Sequence, residues 1–127
     1  MKIPILNPIV LAGLHGILGG LVVAKGPQRR RSGYQSFGAP VIEEVLFRGV
    51  PGALGVPSAV STAAFAGAHA VDDPEHTDPV RLGDVVLGSL IYQAAFKQFG
   101  IVGAIGAHVA HNLAVGLGQS LVRRKKR

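Results

Sequence analysis

Ala39-Pro40-Val41-Ile42-Glu43-Glu44-Val45-Leu46-Phe47-Arg48-Gly49 sets two adjacent carboxylates and an arginine inside a run that is otherwise apolar. If the run lies in lipid, each charge is costly to bury, and an intramembrane ionisable group is a functional-site hypothesis by default. Glu44 and Arg48 are four apart, so a helix puts them on one face with the acid on the favourable N-terminal side. Glu43 lies about 100° round the helix from Glu44. Arg48 can therefore neutralise Glu44 and leave Glu43 for chemistry. Pro40 suits a first helical turn, where no amide donor is needed. An ordinary surface helix with an ion pair is the plain alternative, but Val41, Ile42, Val45, Leu46 and Phe47 leave little polar face for it.

The totals fit lipid better than water. Hydrophobic residues make up 48% of the 127, charged residues only 16%, and the mean hydropathy is +0.38. One membrane domain spanning residues 1–127 is expected. The 18 glycines fall inside apolar runs, as close helix packing in a membrane requires. There is no cysteine, which excludes disulfides, zinc–thiolate sites and thiol nucleophiles. The net charge of +6 is concentrated in loops and at the tail, where it reports topology and contact with anionic lipid.

Working outward, five apolar stretches emerge. Ile3–Ala24 has the roughly 20-residue length of a span and is broken only by Asn7 and His15. It lacks an Ala-x-Ala-like site before the basic cluster, which argues against a cleaved signal peptide. Gly16 and Gly20 form a small-residue face, and His15 reads as a packed or hydrogen-bonded histidine, not a catalytic one. The stretch with the two glutamates ends near Leu54, before Gly55-Val56-Pro57. Ser58–Val71, Arg81–Phe96 and Ile101–Val122 follow, with a loop at 72–79 and a short turn at Lys97–Gly100. His76 in that loop reads as solvated, and Asp84 sits near the start of the fourth stretch. No strand pattern occurs. The expected fold is all-α, a polytopic membrane bundle of about five segments.

With five crossings, Lys25, Arg29, Arg30, Arg31, Arg81, Arg123, Arg124, Lys125, Lys126 and Arg127 fall on one side, against Lys2 and Lys97 on the other. The positive-inside rule then puts the N-terminus outside and the C-terminus in the cytoplasm. Residues 123–127 become a basic cytoplasmic tail suited to anionic lipid. Glu43, His69, His108 and Asn112 can converge in the cytoplasmic half of the bundle, Asn112 one turn from His108 on the same face.

Glu43-Glu44-x-x-x-Arg48, Phe65-x-x-x-His69 and His108-x-x-x-Asn112, in that order over residues 39–118, resemble the three motifs of the CPBP family (CAAX proteases and bacteriocin-processing, or Abi, proteins). The resemblance implies an intramembrane glutamic endopeptidase that acts on a membrane-associated peptide or protein. It implies that Glu43 with His69 activates a water, that His108 orients the water or moves protons, and that Asn112 donates to the oxyanion. A buried donor so aimed is worth roughly 3 kcal/mol. Glu44 and Arg48 are then supports that fix the helix, and His111, outside the motif, is a packing residue. No cofactor is expected. Zinc is the alternative, because one glutamate and two histidines match a catalytic ligand set, although no His-Glu-x-x-His occurs.

A second class of reading remains: a non-catalytic membrane scaffold whose basic tail touches lipid or nucleic acid, with the polar set serving only to fix helix packing. A soluble nucleic-acid-binding module is disfavoured, because the basic residues flank apolar runs and do not line a folded face.

Overall fold

The computed structural model describes residues 7–23, 32–72 and 78–125. Lys2, the Lys25–Arg31 loop, His76 and the last two tail residues lie outside them. Among the described residues the chain is helical throughout, with no strand. Helix α1 spans Pro8–Val23, α2 Ala39–Glu44, α3 Val50–Ala53, α4 Ser58–Asp72 and α5 Pro79–Lys125. Two π-helical segments, Tyr34–Gly38 leading into α2 and Val45–Gly49 joining α2 to α3, make these one continuous rod.

Caps explain most of the boundaries. Asn7 accepts from the Ile9 amide and Asp78 from the Val80 amide, each at 2.9 Å and each followed by proline at the first helical position. Ser32 and Gln35 form a reciprocal capping box: Ser32 Oγ accepts from the Gln35 amide, and Gln35 Oε1 from the Ser32 amide. Helix α3 ends in a Schellman turn. The Val56 amide reaches the Pro51 carbonyl and the Gly55 amide the Gly52 carbonyl, with Gly55 at φ 71° and Pro57 barring continuation.

The two π segments each precede a proline. Pro40 and Pro51 cannot donate four residues back, and their rings crowd the carbonyl there. The ladder lengthens accordingly: the Ala39 amide bonds to Tyr34 and the Val50 amide to Val45, five residues back. Carbonyls at Gln35 and Phe47 are released, and other helices use them.

The sequence placed a four-residue turn at Lys97–Gly100. The structure instead keeps 97–99 helical and concentrates the reversal at Gly100 alone, with φ 70° and ψ −162°. Only glycine adopts that conformation without strain. The two arms of α5, 79–99 and 101–125, form a hairpin against which α1 packs. Contacts near Gly16 with His111 and near Gly20 with Val115 and Gly118 make α1 parallel to the second arm. Contacts of Gly19 with Asp84 and of His15 with Gly88 make it antiparallel to the first. A methyl on Gly16, Gly20 or Gly118 would overlap backbone of the facing helix, so the glycine face does bring helix axes close.

The core is small-grained: Ala12, Ala95 and Ala107 surround Phe65, Ile91 and Tyr92. The outside is apolar. Leu14 and Leu18 on α1, Ile42 on α2, Val60 on α4, and Leu90, Val102, Leu113 and Leu117 on α5 are all exposed. Charged Glu44 and Arg48 lie inside at 0% and 1% exposure. That inversion fits lipid as the surrounding solvent. By length and composition one helix among the described residues, the α5 that Gly100 folds into two arms, is apolar enough to cross a membrane.

Gly100→Ala is expected to lower stability by roughly 1–3 kcal/mol through backbone strain. Gly67→Ala, mid-helix with nothing near its added methyl, should be neutral or stabilising by up to about 1 kcal/mol. Unfolding of both variants in detergent micelles measures the difference.

Candidate active site

The site grows from the released turn at Val45–Gly49. Arg48 projects inward from it, and its guanidinium is held on several sides. Nη1 donates to Glu44 Oε1 at 3.2 Å, and Nη2 donates to the Ser89 carbonyl at 3.1 Å and also to Ser89 Oγ. The Phe65 ring covers its face, 4.4 Å from centroid to Cζ, and Tyr92 lies at 5.6 Å. Glu44 Oε1 also lies 2.7 Å from His108 Nδ1. With Glu44 ionised against Arg48, this bond fixes the proton on Nδ1 and turns Nε2 outward. Tyr92 stacks on the His108 ring at 4.4 Å and 14°.

His69 is fixed similarly. Its Nδ1 lies 2.9 Å from the Phe65 carbonyl, one turn back in α4, and a carbonyl only accepts. Nδ1 therefore carries the proton, and Nε2 points away from the helix. Both outward nitrogens face one carboxylate oxygen: Glu43 Oε2 is 3.8 Å from His69 Nε2 and 3.7 Å from His108 Nε2. The side chains of Glu43 and His69 are 30% and 25% exposed, and that of His108 only 7%. The gap is thus walled by His108 and open beside Glu43 and His69. Among the described residues, no group of three or more His, Asp or Glu side chains is arranged to hold a metal ion.

Asn112, buried one turn past His108, donates from Nδ2 to the Gln35 carbonyl at 3.3 Å. That carbonyl was released by the first π segment. The other released carbonyl, Phe47, accepts from Ser61 Oγ of α4. Each irregular turn is therefore tied to a neighbouring helix by a side chain that fills its missing bond.

The structure brings Glu43, His69 and His108 around one gap, with Asn112 on the adjoining turn. Glu44 does more than fix its own helix. It joins Arg48 on α2's continuation to His108 on α5, so it positions a ring that faces Glu43. Ser89 and Tyr92 escaped the sequence reading. A lone serine in the apolar Leu87-Gly88-Ser89-Leu90 run, with an aromatic three residues on, was the available signal. His15, expected as a packed or hydrogen-bonded histidine, has Nε2 2.7 Å from Asp84 Oδ1 and a ring 4.8 Å from that of His111. His111 packs between His15 and Tyr92 and stands apart from the Glu43 gap.

An all-helical chain with an apolar exterior and a buried Glu–Arg–His network belongs with membrane-embedded proteins that keep reactive polar groups inside. Residues 31–114, two thirds of the chain, match the family described as type II CAAX prenyl endopeptidase Rce1-like, and the chain belongs to that family, within the CPBP group. It is a family of membrane-embedded proteases. Comparisons with curated proteins and with solved structures find no match.

Arg48→Met leaves Glu44 buried without its cation and is expected to cost about 3–5 kcal/mol. Ser89→Ala removes one donor–acceptor pair of a charged group and should cost roughly 1.5–3 kcal/mol. Denaturant unfolding of the protein in micelles ranks the two, and equal losses would contradict the arrangement.

Proposed function

We propose that the chain is an intramembrane endopeptidase that hydrolyses a peptide bond in a membrane-associated peptide or protein. The observation that carries this is the gap of 3.7–3.8 Å between Glu43 Oε2 and the two histidine Nε2 atoms. These separations are too long for direct hydrogen bonds, and all three atoms are acceptors in the neutral-histidine tautomers. One water in such a gap can donate its two hydrogens to two of the three, Glu43 Oε2 and one histidine Nε2.

In the proposed reaction Glu43, supported by His69, takes a proton from that water as its oxygen attacks the scissile carbonyl carbon. Asn112 supplies an amide donor to the developing oxyanion. The C–N bond then breaks as the proton passes to the leaving nitrogen, by way of Glu43 or His108. Glu44, itself held by Arg48, keeps His108 Nε2 facing the water. No step calls for a metal or cofactor. The family's description is that of a CAAX prenyl endopeptidase, which supports a lipid-anchored substrate over a soluble one.

The chain is proposed to cross the membrane five times, as 1–127 with a core at 39–118. Its N-terminus is outside, and its basic tail, 123–127, lies in the cytoplasm against anionic lipid. The parallel and antiparallel pairings of α1 with the two α5 arms are those that alternating crossings require. The ten-to-two excess of basic residues sets the direction. A purely structural role for the polar cluster is the competing reading, favoured by the complete burial of Glu44 and Arg48.

Glu43→Gln keeps the shape of the side chain and removes the base. Cleavage of a membrane reporter peptide by the purified protein in lipid should fall at least about 10²-fold and should be insensitive to chelator. Loss of wild-type cleavage on chelation would point to zinc. Absence of cleavage with a shift in stability alone would favour the scaffold.

Because the chain has no cysteine, single substitutions test the crossing pattern. Leu54→Cys is expected to react with an impermeant thiol reagent from outside the cell, and Asp78→Cys only after the membrane is opened.

A further inference from the structure

Arg48 also lines a cavity of about 150 Å³, together with Ser58, Ser61, Gln93, Lys97 and apolar groups, and neither Phe65 nor a glutamate is in its wall. Two cations line it and no acid does. Arg48 is 1% exposed, and its Nη atoms and one face of its guanidinium are occupied as described above. Its Nε–H has no hydrogen-bond partner although it is fully buried. A buried charged donor is rarely left unmade, because each such group costs about 1–3 kcal/mol or more. Gln93 Oε1, also buried, is without a partner on the same wall. An amide reverses its donor and acceptor ends by a simple flip, so Gln93 can present N–H to a ligand. The 15-residue helix α4 begins at Ser58 on this wall, with its positive dipole end there.

We propose that this cavity binds a phosphate group, supplied either by a lipid headgroup or as the free ion. Arg48 Nε–H, Gln93 and the first turn of α4 form the inner wall, and the Lys97 ammonium closes the mouth. The Ser61 hydroxyl is committed to the Phe47 carbonyl and shapes the cavity without donating to the ligand. The site opens where the α3–α4 turn and the Gly100 hinge lie together. That is the opposite end of the rod from Gln35 and Asn112. Arg48 would then neutralise two anions, Glu44 by Nη1 and the phosphate by Nε. The assignment goes beyond the proteolytic reading and does not depend on it.

The test is binding, read without any cleavage. Full-length protein in neutral micelles is titrated with inorganic phosphate against chloride at matched ionic strength, and its thermal unfolding is followed. A parallel series uses phosphatidylcholine nanodiscs with and without phosphatidylglycerol. Saturable stabilisation is expected from at least one source. It should weaken about tenfold in Lys97→Gln, the loss of one charge-assisted contact, and vanish in Ser58→Leu, which fills the cavity. The basic tail binds anionic lipid in every variant, so the comparison between variants isolates the cavity. Response to free phosphate alone assigns the soluble ion, and response to the anionic lipid alone assigns the headgroup. No saturable stabilisation from either, or equal binding by wild type and both variants, overturns the proposal and leaves the cavity to water.

Discussion

The buried pair of Arg48 and Glu44 is the interaction on which the remaining structure depends. Both side chains are closed to solvent, so neither charge is tolerable alone. Satisfying them draws in nearly every element. Ser89 comes from the first arm of α5, Phe65 from α4, and His108 from the second arm. Helix α1 makes no bond to the pair. It packs behind the hairpin through glycines, and its His15–Asp84 contact links it to the first arm. The bundle is thus arranged around a charge that must be compensated. In lipid, where apolar side chains gain little by meeting one another, such polar contacts and close packing are what distinguish one helix arrangement from another.

Irregular backbone does the complementary work. A straight α-helix through Ser32–Ala53 would have consumed its own carbonyls. Pro40 and Pro51 interrupt that ladder, and the π turns before them hand Gln35 and Phe47 to Asn112 and Ser61. The rod is thereby tied to α5 at one end and to α4 at the other. Glu43 and Glu44 lie on the stretch between these two ties, and Arg48 directly follows the second.

Much of this could be read from residue type and spacing. Helical class and the i, i+4 pairing of Glu44 with Arg48 follow from local rules, and the structure has them. The Gly16 and Gly20 contact face also lay in the spacing, although in so glycine-rich a chain it was a weak sign. What escaped was long-range or depended on a single angle. Nothing local says that His108 Nδ1 meets Glu44 while Nε2 faces Glu43, because that needs the rotation of one helix against another. Ser89 carries no local signal of its role, which exists only through Arg48, 41 positions away. The expected four-residue turn at Lys97–Gly100 is shorter in the structure. One glycine with a positive φ was enough, and Lys97 stayed helical.

The uneven exposure around the gap bears on how a peptide could reach it. His108 is closed off, while Glu43 and His69 keep a quarter to a third of their side-chain surface open. In hydrocarbon a peptide binds its own carbonyls as a helix, and a carbonyl so engaged is not presented to a nucleophile. Under the proposed chemistry, a segment must surrender local helix before its carbonyl carbon can approach the water. Chain ends and stretches near proline or glycine do this most easily. Selectivity would then rest on how readily a peptide unwinds at this opening as well as on which side chains it carries.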